Sequence, residues 1–90
     1  MMTEQKLVDL GFKPNCKGFH FLRDAVSMVL KNKFIKTGII YSTIARAYGE
    51  TSSRVERAIR HCIEASNTIY KKDCNSLVFS KLAILVKENA

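Results

Sequence analysis

Residues 51–64 read TSSRVERAIRHCIE, and their spacing predicts one helix with an apolar side and a cationic side. At roughly 100° per residue, Val55, Ala58, Ile59, Cys62, Ser66 and Ile69 gather on one face. Arg54, Arg57, Arg60 and His61 fan across the opposite face, with Glu56 and Glu64 at its edge. Upstream, residues 42–48 form a second, shorter helix candidate closed by Gly49. Ser42 is its candidate cap, and Ile44, Ala45 and Tyr48 are expected to point inward. A short helix, a turn at glycine and a longer helix with an arginine-studded outer face predict a helix-turn-helix at about 42–66. In that motif the second helix, here about 52–66, enters the major groove of duplex DNA.

The rest of the chain predicts an all-α fold, a small bundle of about five to six helices forming one domain over residues 1–90. Thr3 is a candidate cap for a short helix carrying Leu7, Val8 and Leu10 and stopped by Gly11. Residues 13–18 hold the single proline, Pro14, with Asn15 and Gly18, and read as a loop. Phe19, Leu22, Val26, Val29 and Leu30 recur at helical spacing through about Lys31. Residues 34–40 read as a connector or short helical turn that buries Phe34, Ile35 and Ile39. The helical pattern of the motif's second helix runs on past Ile69 and Tyr70 to a break at residues 71–75. Ser76 is the candidate cap of a last helix bearing Leu77, Val78, Leu82, Leu85 and Val86.

Composition narrows the function. The 90 residues carry a net charge of +7, which favours polyanionic partners: DNA, RNA or an anionic membrane surface. No apolar run approaches the ~18 residues of a membrane span, and the first residues, MMTEQKLVDLGF, lack the apolar stretch of a secretory signal. The expected location is the cytoplasm, on the nucleoid. Cys16, Cys62 and Cys74 are odd in number and widely spaced, so neither a disulfide framework nor a zinc site is expected. His20 and His61 lack partners at ligand spacing, and no metal or cofactor is expected. There is no nucleophile–base pair, phosphate loop or carboxylate cluster, so no enzyme is expected.

The cationic face carries the chemistry. An arginine fork can donate two parallel hydrogen bonds to guanine O6 and N7, a geometry lysine cannot match. Arg54, Arg57 and Arg60 therefore point to base readout more sharply than three lysines would. Glu56 repels phosphate, so it either accepts from a cytosine amino group or pairs with Arg60 at i,i+4. The hydroxyls of Thr51, Ser52 and Ser53 suit helix capping, and with the free N–H groups of that turn they also suit a DNA phosphate. His61 is either a phosphate or base contact or simply exposed.

At this level of detail the residues resemble a known family. SRVERAIRHCIE closely resembles the recognition-helix region of the C-terminal DNA-binding effector domain of the stage-zero sporulation response regulator of endospore-forming Firmicutes. KGFHFLRDAVSMVL, residues 17–30, and YSTIARAYGE, residues 41–50, extend the likeness over about residues 10–64. The resemblance implies an all-helical transcription regulator of sporulation that reads a short promoter box with a central C·G/G·C step. Tandem or paired copies on DNA and contact with RNA polymerase belong to the same implication. By position it makes Glu56, Arg57 and Arg60 the base-reading set, with Ser53, Arg54 and His61 as flanking contacts. The family's regulator carries a phosphoacceptor receiver domain that is absent from these residues. A competitor or repressor acting at the same boxes is the alternative, as is a protein- or RNA-binding module without specific DNA readout.

Overall fold

The computed structural model describes residues 2–88. It holds five helices: α1 (Met2–Leu10), α2 (Phe19–Lys31), α3 (Thr37–Tyr48), α4 (Ser52–Glu64) and α5 (Asn75–Glu88). No strand occurs among the described residues, so the all-α expectation holds. α2 is the central element and packs against all four others. Its stripe of Phe19, Leu22, Val26 and Val29 is buried, joined by Phe21 and Ala25, as the helical period of those residues requires. Val55, Ile59, Cys62 and Ile63 of α4 and Val78, Phe79, Leu82 and Val86 of α5 close the core around it.

The turn of the two-helix motif is built by Gly49. Its φ of 67° and ψ of 35° lie in the left-handed region, which glycine enters without a Cβ clash. The Glu50 N–H donates to the Ala45 carbonyl at 2.9 Å, the six-to-one bond of a Schellman ending. Thr51 then caps α4, its Oγ1 accepting from the Arg54 N–H at 3.2 Å. Three residues thus stop one helix, turn the chain and start the next.

Several expectations need correction. The presumed connector is mostly helix: α3 starts at Thr37 rather than Ser42. Ile40 is its fully buried residue and Ile35 packs partly buried against the core, as expected, while Phe34 is 82% and Ile39 51% exposed, and Tyr48 is also exposed. One buried β-branched anchor outweighs the weak helix propensity of two neighbouring isoleucines. The motif's second helix ends at Glu64, and Ile69, which fits the apolar period, is 88% exposed. Ser66 Oγ donates to the Ile63 carbonyl at 2.6 Å, and Thr68 Oγ1 accepts from the Tyr70 N–H at 3.2 Å. Such local side-chain bonds offer the backbone an alternative to the helix. Thr3 lies inside α1 and Ser76 inside α5, so neither is a cap. Val8, Leu30 and Leu77 are exposed at their helices' edges.

Candidate nucleic-acid interface

α4 presents its polar face outward as an ordered arc. With Arg57 at the crest, 100° steps place Ser53 and Arg60 to one side, with Glu56 beyond them, and His61 and Arg54 to the other. Arg54, Arg57, Arg60 and His61 are all exposed, as are Thr51, Ser52 and Ser53, while Glu56 is half-buried. Buried beneath them lie Val55, Ile59 and Cys62. No described segment covers the guanidinium forks.

A shallow groove flanks α4 on each side. On the Arg54 edge it is lined by Cys16, Lys17 and Gly18 together with Arg57 and His61. On the Glu56 edge it is lined by Tyr41 of α3 and by residues 71–76, which bring Lys71 and Lys72 beside Arg60. The helix therefore stands as a ridge with cationic residues on both shoulders. Gly18 makes the first shoulder possible. A Cβ there would lie 2.1 Å from the Ala58 carbonyl oxygen, so the start of α2 touches the backbone of α4 directly.

The charges on the ridge are only loosely engaged. Arg54 Nη1 is 3.7 Å from Glu50 Oε1, and Arg60 Nη1 is 3.8 Å from Glu56 Oε2. The Arg54 side chain is 73% and the Arg60 side chain 50% exposed. Exposed pairs of this kind contribute about 0–1 kcal/mol, so exchanging them for an anionic ligand costs little. The Arg57 side chain makes no ion pair or hydrogen bond among the described residues. Glu56 pairs with Arg60 only through Oε2. That oxygen also accepts from Asn75 Nδ2 at 3.3 Å.

A polar hub joins α1, α2 and α3 next to the motif's turn. Arg23 donates to Glu4 Oε1 at 2.6 Å, to Asp24 Oδ1 at 3.0 Å and to the Tyr48 hydroxyl at 3.1 Å. Tyr48 in turn donates to Asp24 Oδ2 at 2.7 Å. Tyr48 is the last residue of α3, so the hub anchors the chain one residue before the motif's turn. The hydrogen bond to Asp24 raises the Tyr48 hydroxyl above its ordinary pKa. The bond from Arg23 holds the Glu4 carboxyl below its usual range. Burial pushes the Cys62 thiol up to about 12, consistent with an inert core residue.

The structure leaves Ser53, Arg54, Arg57, Arg60 and His61 exposed along the outer arc of α4 and Thr51 and Ser52 exposed at its start, with Glu56 half-buried at the edge. Sequence reasoning missed Gly18, Tyr41 and Asn75, which shape and brace that surface from other helices. Gly18 carried a signal as a glycine at the start of a helix. Asn75 carried none, because it lies in a polar stretch that reads as a break. Among the described residues, no group of histidine, cysteine and carboxylate side chains is placed to hold a metal ion. No described helix is long and apolar enough to cross a membrane.

The family model for the sporulation initiation factor Spo0A C terminal matches residues 3–88. The likeness thus reaches well beyond residues 10–64, taking in α5 and the loop before it. This family is a DNA-binding effector domain of sporulation regulators rather than an enzyme family.

Proposed function

The chain belongs to the sporulation initiation factor Spo0A C-terminal family, and on that premise we propose that α4 reads a short promoter box in the major groove of duplex DNA. Arg57 and Arg60 grip guanine O6 and N7, and Glu56 accepts from a cytosine amino group. Ser53, Arg54 and His61, with Thr51 and Ser52 at the start of the helix, hold the flanking phosphates. Residues three apart rise about 4.5 Å along a helix, close to the 3.4 Å between bases of one strand, so Arg57 and Arg60 address neighbouring base pairs. In this reading residues 1–90 act as one helix-turn-helix domain that regulates transcription at such boxes.

The observation that carries the proposal is the unpaired Arg57 fork at the crest of an exposed ridge with lysines on both shoulders. A solvated helix face would need no such arrangement of Lys17 on one side and Lys71 and Lys72 on the other. Gel shifts against a library of duplexes test it. Arg57→Ala and Glu56→Ala are expected to change which base is preferred, whereas Lys71→Ala weakens all duplexes alike. Equal losses on every sequence for all three variants would refute base readout. Affinity is also expected to fall steeply with salt as neutralised phosphates release counterions, and a flat salt response would refute a DNA ligand.

A further inference from the structure

Asn75 is the first residue of α5 and is buried, yet its side chain reaches the recognition face. Its Nδ2 lies 3.1 Å from the Tyr41 hydroxyl, 3.2 Å from the Glu56 main-chain carbonyl and 3.3 Å from Glu56 Oε2. Two of these three partners can only accept, which fixes the amide with its nitrogen toward them. The amide has two N–H donors for these three acceptors, so one hydrogen is shared, and a single amide meets both the backbone and the side chain of one residue of α4. Glu56 has three side-chain torsions, and an exposed helical glutamate samples several rotamers, so fixing one costs conformational entropy. Asn75 on one side and Arg60 on the other converge on the same oxygen, Oε2. Among the described residues no hydrogen bond engages Oε1.

The geometry points to Asn75 as a positioning residue for sequence specificity: it orders the Glu56 carboxylate so that Oε1 is presented to the DNA. This rests on the reading of Glu56 as a base contact. A carboxylate ordered beforehand loses little freedom when it accepts from a base, which sharpens the penalty for the wrong base. Tyr41, held by the same amide, ties the arrangement to α3. The contact therefore lies where α3, α4 and α5 meet, on the Glu56 edge of the ridge.

The test compares Glu56→Ala, Asn75→Ala, Asn75→Asp and the two double variants for binding to duplexes mutated one base pair at a time. Asn75→Asp keeps the volume, suits the start of a helix and faces Glu56 with a like charge. Both Asn75 variants are expected to lose about threefold to tenfold of discrimination at the base pair that Glu56→Ala relaxes. Discrimination at the other positions should stay unchanged, and neither Asn75 variant should add anything in the Glu56→Ala background. A brace with no part in readout would weaken all duplexes equally and would do so in both backgrounds, overturning the inference. Failure of both Asn75 variants to fold would assign the residue to scaffolding and overturn it too. Two further outcomes separate the claims. If Glu56→Ala relaxes one base pair and the Asn75 variants do not, only the positioning role falls. If Glu56→Ala relaxes none, the base contact falls and the positioning role with it.

Discussion

Gly18→Ala sets two effects of opposite sign against each other. The backbone at Gly18 has φ −81° and ψ −1°, which any L-residue adopts, so alanine there restricts the unfolded chain and by itself stabilises by about 0.4–1 kcal/mol. The added Cβ, however, lies 2.1 Å from the Ala58 oxygen, 2.4 Å from the Ala58 carbonyl carbon and 2.8 Å from the Ile59 nitrogen. All three are backbone atoms in the middle of α4, so no side chain can swing away, and the two helices must separate. Forcing such contacts in a packed interior costs about 1–3 kcal/mol. The steric term is the larger, and mid-range values leave a net loss of about 1.3 kcal/mol, or roughly 5–10 °C in Tm for a domain of this size. Gly38→Ala is the matched control: a Cβ there meets nothing within 4 Å, and inside α3 it should stabilise by about 0.5–1 kcal/mol. Thermal melts followed by circular dichroism measure both. If Gly18→Ala melts at or above the parent, the start of α2 does not abut α4 as described. Because the displaced helix is α4, DNA affinity of the folded variant should fall as well.

Other outcomes follow from the same packing and electrostatics. Ile59→Asp places a charge at a fully buried position of α4 and should abolish the folded circular dichroism signal; a parent-like melt would mean the faces of α4 are reversed. Glu4, whose carboxyl is held low by Arg23, contributes stability that is present above its unfolded pKa and lost as pH falls through the folded value. Glu4→Gln should therefore flatten the acid side of the stability profile slightly, and an unchanged profile in urea titrations below pH 5 would contradict the hub. Cys74 is exposed and its thiol is lowered by the Ser76 hydroxyl, whereas burial raises Cys62. Iodoacetamide should thus label Cys74 well before Cys62, and the reverse order by mass spectrometry would refute these placements.

What could be read from the residues alone follows from the range of the interactions involved. α2 was legible to its ends because its apolar stripe and its flanking loop are local signals. The turn at Gly49 and the cap at Thr51 were equally local, and they fixed the orientation of the arginine face. Ile69 misled because it fits a period, and Ile39 because an apolar residue in a connector reads as buried. The choice between Ile39 and Ile40, however, depends on what α3 meets in three dimensions. The end of α4 is decided by Ser66 and Thr68 binding their own backbone. The site residues on α4 were visible because they lie within eleven positions of one another, from Thr51 to His61. Gly18, Tyr41 and Asn75 reach the same surface from three other places in the chain, and no spacing rule connects them.

The central claim is that α4 lies in the major groove with Arg57 and Arg60 on guanine edges. Methylation interference on a duplex selected from random sequence tests it most directly, because a methyl group on guanine N7 occupies the atom these forks are said to grip. The account predicts that methylation of two or more guanines within the selected box abolishes binding by the parent, and that Arg57→Ala removes the interference at one of them. Binding indifferent to N7 methylation, or blocked only by methylation of adenine N3 in the minor groove, would contradict it.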